Sequence, residues 1–353
     1  MTVRVRRTLP RAARASIFAL VAGGLVAGPA LVQARSQPRR VDGVPVPHEV
    51  TSRVPPLKSA RSELVKLDLA PFPYRGVNPR TGRPFIDVTD EDGRRGHGTA
   101  RGVLWEDATF SDRRALLYLP KGFDVRKPGV IVVFLHGHRA TLERDVRDRQ
   151  RVADQIAEAN ANAVLVAPQF AVNASDSSAG RFWESYGFAA FLGEAGAHLA
   201  RLHGDRRTRK TFATLPVVVV AYSGGYAPAA WALQNGGTDR RVIGVLLLDA
   251  LYGEVDKYAD WIGRHPSSFF VSAYTSSSAR GNEALQGILA NRDVDFDLSL
   301  PPRLKGTVAF LPTSGVSHES FVTRAWVDDP IRVVLERMGG YARNARRQAH
   351  IVP

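Results

Sequence analysis

The chain has 353 residues, 44% of them apolar, enough for one large α/β domain or two smaller ones, which excludes a disordered or fibrous protein. Zero cysteines exclude a disulfide framework, a cysteine nucleophile, thiolate metal sites and a lipoprotein anchor. The formal charge of +14 gives no nucleic-acid signature: the basic residues are scattered, only seven of 48 are Lys, and pairs such as Arg94-Arg95, Arg206-Arg207 and Arg346-Arg347 lack interleaved aromatics.

Arg4, Arg6, Arg7, Arg11 and Arg14 precede an apolar run from Ile17 to Ala30 that closes at Val32-Gln33-Ala34, a small-x-small cleavage pattern. Residues 1–34 are therefore expected to be a signal peptide, which places the mature protein in the periplasm or outside the cell. An uncleaved anchor is the alternative, although the run is short and rich in Gly for a membrane span. Arg6-Arg7 also permits the twin-arginine route. Cleavage removes five Arg and no acids, so +14 becomes +9. The mature chain stays basic, which makes electrostatic association with an anionic cell envelope a further expectation.

Residues 35–84 are rich in Pro, Arg and Ser without a sustained period, and are expected to form an extended arm that wraps the domain or stays partly disordered. Strand-like runs then follow at 114–120, 129–135, 163–168, 216–222, 242–249, 267–274 and 306–312. Several are apolar at every position, as in strands covered on both faces. Helix-length segments lie between them, at about 141–160, 182–203, 225–235, 254–264, 281–291 and 320–338. The alternation predicts an α/β fold, a mostly parallel central sheet with helices on both faces, in one domain spanning 85–340. A basic tail, 341–353, follows.

Ligands of such sheets bind beyond the carboxyl ends of the strands, so the residues just after each run matter most. Four of these ends carry unusual groups: His136-Gly137-His138 after 129–135, Ser223-Gly224-Gly225-Tyr226 after 216–222, Asp249 after 242–248, and "TSGVSHESF" with His318 after 306–312. A serine hydroxyl is a poor nucleophile without a base in reach. His318 is the candidate base and Asp249 the candidate group that orients it. The alternatives are Ser223 as a small turn residue, Asp249 as a turn cap and His318 as an exposed structural histidine; Asp256 and Asp260 are rival acids further along a helix.

Ala221-Tyr222-Ser223-Gly224-Gly225, followed by Asp249 and His318 in that order, resembles the nucleophile elbow and triad order of the α/β-hydrolase superfamily over roughly residues 100–340. Ala221 departs from the usual first Gly of the elbow. The resemblance implies an exported serine hydrolase without a cofactor, acting on a small-molecule or acyl substrate through an acyl-enzyme on Ser223. Esters are the commonest substrates of that superfamily, so a carboxylic-ester hydrolase is expected ahead of a peptidase. The usual place for the acid, after the 267–274 run, reads "AYTSSSARGNE", with no carboxylate until Glu283. Some lipases of the superfamily instead place it one strand earlier, in a context similar to Leu248-Asp249.

The resemblance also implies backbone N–H donors of Gly224 and His138 for the oxyanion, with His136 holding the loop. His136 and His138 could alternatively be read as metal ligands, but no other ligand cluster has the spacing, so no metal is expected. Tyr222, Tyr226, Tyr252 and Trp183 are substrate-pocket candidates. Residues 169–188 could form a lid or wall, although Phe182, Trp183 and Tyr186 could equally be ordinary packing. The alternative from another class is a non-catalytic envelope protein of the same fold that binds anionic polymers through its basic arm.

Overall fold

The computed structural model describes residues 54–238 and 240–344. The expected signal peptide, residues 35–53 of the arm and residues 345–353 of the tail lie outside the described residues.

The core is an eight-stranded sheet: β1 (Arg61–Lys66), β2 (Arg114–Leu119), β3 (Val130–Leu135), β4 (Ala163–Pro168), β5 (Val217–Tyr222), β6 (Val242–Leu248), β7 (Phe269–Tyr274) and β8 (Val308–Pro312). Its spatial order is β1-β2-β4-β3-β5-β6-β7-β8. From β4 to β8 all neighbours are parallel, and β2 runs antiparallel to both β1 and β4. The α/β architecture with a mostly parallel sheet is thus observed.

The unbroken Val217-Val218-Val219-Val220 run has a simple cause. Every residue of β5 is buried, and alternate side chains enter two different cores. Val217, Val219 and Ala221 face one layer; Val218, Val220 and Tyr222 face the other. Branched side chains stiffen a strand that has no solvated face.

Helices α2 (Gly187–His203), α3 (Arg209–Thr214), α4 (Tyr226–Asn235), α5 (Val255–Arg264) and α6 (Ala279–Asn291) contribute to the first layer. The second is covered by a π-helix (Leu142–Arg149), α1 (Val152–Glu158) and α7 (Pro330–Glu336). Helix α5 shows how sequence sets the buried stripe: Tyr258, Ala259, Trp261 and Ile262 are buried, at the spacing of one helical face. Among the described residues no helix is long and apolar enough to cross a membrane.

Three expectations change. The stretch expected to be an arm up to residue 84 enters the fold well before that point, since Arg61–Lys66 pairs along its full length with β2 as the sheet's edge strand. Phe72, Tyr74 and Phe85 then pack with Phe110 and Trp183 in an aromatic cluster whose nearest rings are 4.9 Å apart. Burial of these rings is what pins the segment. Past residue 340, Arg343 donates to the carbonyls of Ile156, Ala157 and Ala159 at the end of α1, so the domain extends to at least that residue. The helix expected over 141–160 is instead broken at Arg151, which has φ +50°.

Register brings the working ends of the strands level. Leu135 faces Ala221, Tyr222 faces Leu248, and Tyr274 faces Pro312. The loops that follow β3, β5, β6, β7 and β8 therefore meet at one edge of the sheet.

Candidate active site

Beyond Tyr222 the chain turns so sharply from β5 toward α4 that Ser223 adopts φ +50°, a left-handed conformation that is costly for a residue with a side chain. The turn closes because Gly225 lacks a side chain: a Cβ there would stand 2.3 Å from the Leu135 carbonyl oxygen at the end of β3. A Cβ on Gly137 would likewise come within 2.7 Å of the Ser223 Cβ, which shows how closely the loop after β3 approaches the serine. Ala221, which stands where the elbow usually has glycine, fits as a fully buried residue of the core.

Ser223 Oγ lies 2.8 Å from His318 Nε2, and His318 Nδ1 lies 2.7 Å from Asp249 Oδ2. The ionised carboxylate can only accept, so Nδ1 carries the imidazole proton and Nε2 is left to accept from the serine hydroxyl. Asp249 is fully buried and also sits in the left-handed region, at φ +45°. Burial alone would raise its pKa. Hydrogen bonds from His318, Ser278, Thr275 and Ser277 outweigh that and hold the carboxyl well below the usual range.

This cradle is the part that sequence reading missed. Thr275 donates to Asp249 through both its N–H, at 3.0 Å, and its hydroxyl, at 2.9 Å. Ser277 donates at 2.8 Å, and the Ser278 hydroxyl completes the set. The "TSSS" stretch after β7, where a carboxylate was absent, thus supplies the donors for an acid carried one strand earlier. Asp256 and Asp260 are on α5, exposed to solvent, and Asp260 is paired with Arg292.

His136 is buried within its loop. Its Nδ1 donates to the Gly137 carbonyl, and Nε2 accepts from the Phe170 N–H and the Gln169 side-chain amide, each at 2.9 Å. Burial pushes its pKa down to about 4, so the ring is neutral. Both nitrogens are committed, which leaves no lone pair for a metal and none for proton transfer. Gln169, also fully buried, binds the same loop through Ala140 and Leu142; nothing in its sequence context marked it. The His138 ring lies over Gly224, exposed, with Nε2 2.7 Å from Ser177 Oγ.

The pocket candidates separate. Tyr252 is 43% exposed and packs edge-on to His318 at 6.3 Å; Tyr226 flanks it at 6.0 Å. The Tyr252 hydroxyl reaches Ser277 Oγ at 2.9 Å, one bond from Asp249. Tyr222 and Trp183 are closed off from solvent. Tyr222 is buried in the second core layer beneath His318, and Trp183 is buried in the aromatic cluster. Within residues 169–188, Ser175 accepts from Arg139 and Ser177 Oγ meets His138 Nε2, whereas Phe182 is core and Tyr186 is 70% exposed.

No protein-family model and no curated protein matches the sequence. Solved structures similar to it include a feruloyl esterase module from Clostridium thermocellum, 16% identical over 79% of this chain and 94% of that one, with a TM-score of 0.41. An S-formylglutathione hydrolase from Agrobacterium tumefaciens is 14% identical over 64% of this chain and 90% of that one, with a TM-score of 0.41. A dienelactone hydrolase-like promiscuous phosphotriesterase from metagenomic libraries is 12% identical over 71% and 82%, with a TM-score of 0.31. Likeness at this level assigns no substrate. The largely parallel sheet, the left-handed serine at the turn after β5, and Ser223, Asp249 and His318 after β5, β6 and β8 are features of the α/β-hydrolase fold, and that is the fold of this chain.

Proposed function

We propose that the protein is a serine hydrolase that cleaves a carboxylic ester, or an amide, through an acyl-enzyme on Ser223, and that its N-terminal sequence directs it out of the cytoplasm. The observation that carries the reading is the continuous Ser223–His318–Asp249 hydrogen-bond chain, with its serine on a strained turn. Such strain persists only where surrounding structure enforces it, and it is concentrated at working sites.

In the first half-reaction Ser223 Oγ bonds to the substrate carbonyl carbon while its proton passes to His318 Nε2. The carbonyl oxygen takes up the electron pair and becomes an oxyanion, which the backbone N–H groups of Gly224 and His138 receive, as the resemblance implies. Collapse breaks the bond to the leaving group, which departs with the proton from His318. Water then attacks the acyl-serine by the same route, releasing the acid and restoring Ser223. Asp249, ionised and buried, stabilises His318 each time it becomes charged.

A carboxylic ester is the favoured class, by the resemblance above. The test is pre-steady-state hydrolysis of 4-nitrophenyl acetate beside a matched anilide. A burst of about one equivalent of nitrophenol, absent in Ser223→Ala, supports an acyl-enzyme, and faster turnover of the ester supports an esterase. Faster turnover of the anilide favours a peptidase. Absence of turnover by folded protein would sink the proposal and leave the non-catalytic, polymer-binding alternative.

A further inference from the structure

The base of the proposed hydrolase is carried by an exposed loop. β8 ends at Pro312, and the short turn His318–Ser320 contains no buried residue. Asp249 fixes only the far edge of the imidazole, and a ring held at one atom can still swing with its backbone. Two contacts from elsewhere in the fold hold that backbone.

The first comes from Tyr222, the residue immediately before the nucleophile. Its hydroxyl donates to the main-chain carbonyl of His318 at 3.0 Å, and its ring stacks beneath the imidazole, with centroids 5.1 Å apart and planes 27° apart. Tyr222 is 4% exposed, and burial pushes its pKa up to about 12, so the hydroxyl keeps the proton it donates. The second comes from the π-helix. Arg149 donates to the Glu319 carbonyl at 3.2 Å, and its guanidinium is held from behind by Asp145 at 3.0 Å. Asp145 is buried and also accepts from the Thr141 N–H and from Arg144. Positions 145 and 149, four apart on the helix, share one face, which lets the two side chains meet.

We propose that Tyr222, seconded by the Asp145–Arg149 pair, is a positioning residue for His318 that sets the distance between base and nucleophile. The inference rests on the hydrolase reading. Because Tyr222 adjoins Ser223 in the chain and grips His318 across it, one rigid strand end locates both reacting groups. A reacting-atom error near 1 Å costs up to about 100-fold in rate.

The experiment compares Tyr222→Phe, Arg149→Met and the double variant with the parent, and uses Arg147→Met as control, since Arg147 on the same helix pairs, among the described residues, with exposed Asp148. Steady-state hydrolysis of 4-nitrophenyl acetate is normalised to sites titrated with a fluorophosphonate. Proton NMR follows the downfield signal of the His318 Nδ1 proton shared with Asp249, a readout that exists whether or not the protein turns over an ester. Expected for Tyr222→Phe is a loss of about 10-fold in kcat with KM within twofold, a larger loss in the double variant, and faster exchange of the downfield proton. Arg149→Lys should recover part of the Arg149→Met loss, and Arg147→Met should match the parent. Unchanged kcat per titrated site with an unchanged downfield signal overturns the proposal, as does a loss that tracks only a lowered melting temperature. If the parent itself is inert, the hydrolase reading fails, while the NMR comparison still decides whether Tyr222 and Arg149 hold His318.

Discussion

Replacing Asp249 by Asn gives the sharpest mutational test of the triad, because the structure dictates which way the amide must face. Oδ1 receives the backbone N–H of Thr275 at 3.0 Å, a donor that cannot rotate away. Oδ2 faces His318 Nδ1 and two hydroxyls, from Thr275 and Ser277, which can rotate and become acceptors. The asparagine oxygen is therefore expected to stay with Thr275 and its NH2 group to turn toward His318. Facing a donor, Nδ1 must give up its proton, and the imidazole shifts to the tautomer that carries hydrogen on Nε2. That form cannot accept from Ser223. The same wrong-tautomer effect in a serine protease triad costs about 10⁴ in kcat, or about 5 kcal/mol in the barrier. The assay is kcat on 4-nitrophenyl acetate with folded protein verified by circular dichroism. Retention of activity within tenfold by Asp249→Asn would refute the reasoning, and so would an equal loss from Asp256→Asn.

Three further outcomes follow from local geometry. His136 is buried and neutral with a pKa of about 4, so the unfolded chain takes up a proton that the folded chain refuses. Its contribution is complete above about pH 6.5 and is lost as pH falls toward 4, by about 3 kcal/mol; urea midpoints at pH 7.5 and 4.5 should show the fall, and His136→Asn should flatten it. Gly225→Ala puts a methyl 2.3 Å from the Leu135 carbonyl, which should cost about 2 kcal/mol or more in stability and abolish serine labelling even in the protein that still folds. Phe85→Ala, in the cluster that pins the N-terminal segment, should cost about 3–5 kcal/mol by denaturant titration; a loss below about 1 kcal/mol would mean that this segment is not part of the core.

How much of this was legible in the sequence depended on burial. The seven runs from 114 onward stand out because several are apolar on both faces, and the parallel sheet brings the ends of most of them to one side. β1 did not stand out: Arg61–Lys66 is an edge strand, mostly exposed, and its charges read as a solvated arm. The order of serine, acid and base at strand ends was readable because each is a rare residue type in an apolar setting. Their supporting residues were not, since Thr275, Ser277 and Ser278 are common in loops and only proximity to Asp249 gives them meaning. Tyr222 was misplaced for a related reason. Strand alternation determines which face it takes, and that face is the core beneath His318.

The central claim is that Ser223 is an activated nucleophile, and covalent labelling with a fluorophosphonate, read by intact mass and peptide mapping, tests it most directly. A single adduct is expected on Ser223, absent in Ser223→Ala and formed at least about 100-fold more slowly in His318→Ala. No adduct on folded protein, or an adduct on another residue that persists in Ser223→Ala, would contradict it.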